Sequence, residues 1–94
     1  MNNKHQAKQI AQEHINKPLP RMNIIIIDED TIEKEYGWVF FYQSKEFVET
    51  GDFSYKLAGN GPIIVEKTGN LHQLSAAKAP ISAITDFETT HSLN

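Results

Sequence analysis

Cysteine is absent from this 94-residue chain. That excludes a disulfide framework, a thiolate metal site and a cysteine nucleophile. Long apolar runs are absent too. The longest purely aliphatic stretch is Ile24 to Ile27, far short of the ~20 residues that a membrane-spanning helix needs. The first sixteen residues, MNNKHQAKQIAQEHIN, hold no apolar core of a signal peptide, so the expected location is cytoplasmic. Basic residues are in the minority, nine Lys and Arg against twelve Asp and Glu, for a net charge of −3. A chain of that sign lacks the basic face that binding to nucleic acid requires. There is no internal repeat and no low-complexity segment.

At 39% hydrophobic, the chain holds enough apolar residues for one modest core. A single domain over 1–94 is expected. It divides into a helix with a Pro-containing connector (1–21), a sheet (22–78), and a closing helix with a frayed tail (79–94). The middle carries the weight. Tyr36 to Pro62 holds the single Trp, all three Tyr, four of the five Phe and four of the five Gly. Core anchors and turn residues are therefore concentrated in one third of the sequence.

Along the chain, Ala7, Ile10, Ala11, His14 and Ile15 recur at three- and four-residue spacings and predict a helix over 5–16. Pro18 and Pro20 stop it. The β-branched run after Met22 predicts a strand over 22–28, with Ile24 and Ile26 on one face and Ile25 and Ile27 on the other. Residues 31–33 either resume that strand or turn. Trp38 to Gln43 predicts one continuous strand, with Trp38, Phe40 and Tyr42 on one face and Val39 and Phe41 on the other. Truncating Phe40 or Phe41 is expected to cost ~3–5 kcal/mol. Ser44 reads as an N-cap before one helical turn, with Phe47 and Val48 inward and Gly51 left-handed after it. Phe53, Tyr55 and Leu57 alternate as a short packed or edge segment. Ala58 to Pro62 reads as a turn. Pro62 to Lys67 predicts a strand, Thr68 to Asn70 a hairpin turn, and Leu71 to Leu74 the returning strand. Pro80 opens a short helix whose stripe is Ile81, Ile84 and Phe87. The fold class is α+β: an antiparallel β-meander of about four strands, with an N-terminal helix and a short C-terminal helix on one face in two layers.

Catalytic and cofactor patterns fail one by one. The four His do not fall at ligand spacing, so no metal site is expected. Asp28-Glu29-Asp30 opens like a calcium loop, but Glu33 stands where that loop needs Gly and Val39 where it needs Glu. Gly59-Asn60-Gly61-Pro62 lacks the Lys-Ser/Thr of a phosphate loop and precedes a strand. No nucleophile elbow is present, and the paired carboxylates have no obvious desolvating cleft. No catalytic residue, no cofactor and no enzyme activity are expected. The pattern of Trp38, Phe40 and Tyr42 would also suit base stacking, but acids surround it and a buried core uses the same pattern.

One charge feature stands out. Asp28, Glu29, Asp30, Glu33, Glu35, Glu46, Glu49 and Asp52 face only Lys34 and Lys45 over residues 28–52. Such a segment is either a solvated face that maintains solubility or an electrostatic surface for a basic partner.

Trp38 to Glu46 (WVFFYQSKE), Glu49 to Asp52 (ETGD) and Leu57 to Val65 (LAGNGPIIV), in that order, resemble the YrhB-like immunity protein 35 family of small bacterial proteins. The resemblance runs from about Ile24 to about Ile84 and extends to Glu66-Lys67, Gly69 and His72. The chain departs from the family pattern after that, with Leu74 to Ala77 in place of Gly-Thr and a Ser/Thr-rich closing helix. The resemblance implies a cytoplasmic immunity protein that binds and neutralises a cognate protein toxin, or alternatively a small chaperone-like stress protein that binds exposed apolar surface. From charge alone, the expected contact residues are Asp28, Glu29, Asp30, Glu46, Glu49 and Asp52, against a basic toxin face.

Overall fold

The computed structural model describes residues 1–16, 23–57 and 61–91. The expected Pro18–Pro20 connector, the turn over 58–60 and the tail after His91 lie outside the described residues. The elements are α1 (Lys4–Asn16), β1 (Ile24–Ile26), β2 (Ile32–Lys34), β3 (Gly37–Phe40), β4 (Tyr42–Ser44), α2 (Lys45–Thr50), β5 (Ile63–Glu66), β6 (Leu71–Gln73) and α3 (Pro80–Thr90). Two 3₁₀ turns, Asp28–Asp30 and Phe53–Tyr55, complete the order. The α+β class holds, with six short strands among the described residues where about four were expected.

The aromatic strand is not continuous. It breaks at Phe41, and its halves pair with different partners. β3 lies between β2 and β5 in a four-stranded antiparallel sheet of order β2-β3-β5-β6, while β4 pairs with β1 in a separate two-stranded ribbon. The register explains the break. Ile26 pairs with Tyr42 and Ile32 with Val39, so five residues on one side face two on the other. The three surplus residues are Asp28, Glu29 and Asp30. They are extruded as the first 3₁₀ turn, and the Ile27 amide donates to the Phe41 carbonyl at 2.8 Å just before it. Three consecutive acids cannot be buried without partners, so their extrusion at this point follows from their charge. Residues 32–34 then resume the strand.

Alternation sends the two faces of the sheet to two cores. Trp38, Phe40, Ile63 and Val65 pack with Ile24 and Ile26 against Ala7, Ala11 and Ile15 of α1. Two small alanines let the helix approach the sheet closely. Val39 and Ile64 point the other way and pack against Ile84 and Phe87 of α3. The helices therefore cover opposite faces, giving three layers rather than the expected two. The reason is that Ile63, Ile64 and Val65 are all fully buried, and a strand apolar on both sides needs cover on both. Phe40 is fully buried but Phe41 is only partly so, and the large truncation cost belongs to Phe40.

Gly37 permits the close β3–β5 contact. A Cβ there would sit 2.2 Å from the Val65 carbonyl oxygen. The α3 stripe is shifted from the expected one: Ala83, Ile84 and Phe87 are buried, whereas Ile81 is exposed.

Candidate functional site

The six acids singled out by charge fall into two groups. Asp28, Glu29 and Asp30 are exposed on the extruded turn. Asp28 pairs with Lys8 of α1 at 2.8 Å, and Glu29 and Asp30 make no ion pair among the described residues. Glu46, Glu49 and Asp52 belong to the loop after β4. Glu46 is half-buried and accepts from the Asn23 side-chain amide at 3.4 Å; Glu49 is exposed and lies 3.8 Å from Lys45. Asp52 accepts from the Ser54 hydroxyl at 2.7 Å and the Ser54 amide at 3.0 Å, and these bonds lower its carboxyl below the usual value. The two groups sit at opposite ends of the β1–β4 ribbon, because the ribbon runs from Ile24↔Ser44 to Ile26↔Tyr42. About 7 Å of strand, two residue steps, separates those ends. The structure thus brings Glu46, Glu49 and Asp52 into one lobe and leaves the triplet apart.

That lobe, residues 45–56, has unusual construction. Ser44 caps α2, its hydroxyl oxygen accepting from the Phe47 amide at 3.1 Å while the hydroxyl donates to the Tyr55 carbonyl. Gln43 reaches across to the other end of the loop, its side-chain oxygen accepting from the Leu57 amide at 2.6 Å and from the Ser44 amide at 3.0 Å. Both side chains are buried. Gly51 ends α2 in the left-handed region at φ 71°, and Asp52 caps the second 3₁₀ turn. Phe47 and Val48 were expected inside, and Phe53 and Tyr55 in a packed or edge segment. Instead Phe47 is half-buried, and Val48, Phe53 and Tyr55 are exposed. Among the described residues, no element lies on the outer side of α2 and the 3₁₀ turn to cover these side chains.

A second polar surface lies on the α3 side, where the sequence offered Glu66 and His72 only as part of the family resemblance and assigned no site residue. Glu88 accepts from the Tyr36 hydroxyl at 2.9 Å and pairs with Lys34 at 3.2 Å. Burial, the bond to Glu88 and the negative charges of Glu88 and Glu66 hold the Tyr36 hydroxyl well above its ordinary value of 10.0. His72 lies 2.7 Å from Glu66 and edges the rings of Phe87 and His91 at 4.7 and 5.1 Å. Beside them is an open cavity of about 340 Å³, lined by Ala83 and Phe87 together with Lys78, Asp86 and His91. Lys78 and Asp86 satisfy each other. The sequence signal for this cluster was weak, since Glu66 and His72 meet only through the β5–β6 hairpin and Tyr36 and Glu88 only through the docking of α3. Among the described residues, no group of three or more His, Asp or Glu is arranged to hold a metal ion. Among the same residues, no helix is long and apolar enough to cross a membrane.

A family model described as Immunity protein 35 matches residues 5–86. The uncharacterized protein YrhB of Escherichia coli (strain K12) is 43% identical over 53 residues, which is 55% of this chain and 56% of that relative. The chain thus spans about half the length of the relative in the match. No solved structure matches.

Proposed function

This chain belongs to the immunity protein 35 family, and we propose from that membership that it binds a cognate bacterial protein toxin in the cytoplasm and blocks it by direct contact, without catalysis. The family match is the observation that carries the reading. The surface supports it: the acids lie on extruded or weakly paired segments, where they are available to a basic toxin face. Asp28, Glu29 and Asp30 form one such segment and Glu46, Glu49 and Asp52 the other. Exposed charge of one sign accelerates encounter with an opposite face more than it strengthens the final complex. A chaperone-like role calls for a broad apolar surface. Among the described residues, the exposed large apolar side chains are instead split between the lobe at Val48, Phe53 and Tyr55 and Ile81 on α3, with Met1 also exposed.

The test is purification of this chain together with the protein encoded by the adjacent reading frame. A stoichiometric complex, and relief of the growth inhibition that this neighbour causes alone, are the expected results. Reversing Glu29 and Asp30 to Lys should slow association by about tenfold at low salt and flatten its salt dependence, with dissociation little changed. Unaltered association would remove the extruded turn from the interface. A lack of complex formation by the unmodified chain would overturn the function.

A further inference from the structure

The lobe after β4 spends two buried polar side chains on displaying aromatic ones. Neither α2 nor the turn Phe53–Tyr55 contains a buried residue. Phe53 is 76% exposed, Tyr55 50% and Val48 47%. Placing such side chains in water is unfavourable and needs a reason when they are grouped. Their exposure is not looseness. Gln43 and Ser44 tie the far end of the loop, at Leu57 and Tyr55, to the end of β4. Thr50 donates to the Glu46 carbonyl at 2.7 Å and accepts from the Asp52 amide at 3.1 Å. The rings of Phe47 and Phe53 pack at 5.7 Å, and the Lys56 ammonium lies 5.8 and 5.6 Å from their centres. Phe53 is thus held in one place on the surface, at little entropic cost to a partner that would seat it.

We propose that this lobe is the anchor of the toxin interface: Phe53, flanked by Tyr55 and Val48, seats in an apolar pocket of a protein surface rimmed by Lys or Arg. The inference deepens the function proposed above and rests on it. Charge complementarity selects the occupant. Glu46, Glu49 and Asp52 share the lobe with the aromatics and outnumber its bases, Lys45 and Lys56; with Lys45 paired to Glu49, and Lys56 over the two rings, Glu46 and Asp52 remain without a cationic partner among the described residues. A buried aromatic anchor inside a polar rim is the arrangement in which a few residues carry most of the affinity. A second copy of this chain is a poor occupant, since it would bring the same acids against each other.

Surface plasmon resonance with the purified product of the adjacent reading frame tests this. Phe53→Ala should dissociate about 30-fold faster than the unmodified chain, with association changed by less than about threefold. Phe53→Leu, which keeps apolar volume, should recover part of that loss. Ile81→Ala removes an exposed apolar side chain from α3 and should leave both rates within about twofold. Because Phe53 is exposed, all variants should melt with the unmodified chain, and circular dichroism checks that they do. Unchanged dissociation for Phe53→Ala, with binding by the unmodified chain intact, overturns the anchor and leaves the immunity function standing. Absence of binding by the unmodified chain overturns both. Self-association of the chain alone that Phe53→Ala abolishes would assign the lobe to a second copy and overturn the toxin interface.

Discussion

At the scale of single residues, Gln43 shows how a polar side chain comes to be buried in a small core. It is 7% exposed, and Ser44 beside it is 2% exposed. Each satisfies backbone groups that the following loop would otherwise leave orphaned, which is the condition for burying a polar side chain without penalty. Removing the Gln43 amide leaves the part-buried Leu57 donor without its acceptor. Gln43→Ala should therefore lower the unfolding free energy by about 2–3 kcal/mol, read as a shift of the urea midpoint at unchanged slope. The exposed Glu49→Ala, by contrast, should fall within about 0.5 kcal/mol. A Gln43→Ala midpoint as small as that of Glu49→Ala would show that the loop does not depend on the clamp. Phe53 and Tyr55 mark the limit of reading at this scale. Their alternation with Ser54 and Lys56 is that of a half-buried strand, yet the backbone is a 3₁₀ turn, because Asp52 captures the Ser54 amide and starts the turn instead.

At the scale of elements, the ribbon and the sheet are one antiparallel pair interrupted by three acids. The strand pattern across the interruption is continuous: Ile26 shares the α1 face with Tyr42, and Ile32 shares the α3 face with Val39. Deleting Asp28, Glu29 and Asp30 would bring Ile32 and Val39 into the register set by Ile26 and Tyr42, with each side chain on its present face. The deletion variant should therefore fold, with its unfolding free energy within about 1 kcal/mol of the unmodified chain, since the surface pair Lys8–Asp28 contributes little. Thermal melts followed by circular dichroism would show this. Loss of a cooperative transition would mean that the bend at Phe41 is required by the cores on either side. An extruded turn that the fold does not need is a segment free to be used for binding.

At the scale of the whole molecule, α3 is held to the sheet by polar as well as apolar contacts, and this couples stability to alkaline pH. Tyr36 donates to Glu88, which also pairs with Lys34. The Tyr36 hydroxyl titrates well above the ordinary tyrosine value of 10.0, chiefly through burial and then through Glu88. Below pH ~10 the group is protonated in both the folded and the unfolded chain, and the stabilisation is fully present. Above it the unfolded chain loses the proton first, so the folded state loses stability as pH rises. Burial moves Tyr42 in the same direction. The unfolding free energy should decline steadily above pH ~10, and Tyr36→Phe should make that decline shallower. Equal slopes for the two proteins would contradict the role given to Tyr36. The part of the decline that Tyr36→Phe removes belongs to the layer that covers Val39 and Ile64, whereas Tyr42 contributes from the α1 face.

Local pattern was enough to determine the class of fold and the side on which most apolar residues lie. The 3.6-residue spacing of Ala7, Ala11 and Ile15, the alternation through Trp38–Tyr42 and Ile63–Val65, the Ser44 cap and the left-handed Gly51 are each settled by neighbours within one turn or two strand positions. The break at Phe41, the placement of α1 and α3 on opposite faces, the separation of the acids into two groups and the exposure of Phe53 were decided only in three dimensions. Each depends on which strand pairs with which, or on whether any element is left to cover a side chain. Those are long-range contacts between segments that carry no mark of one another in the sequence.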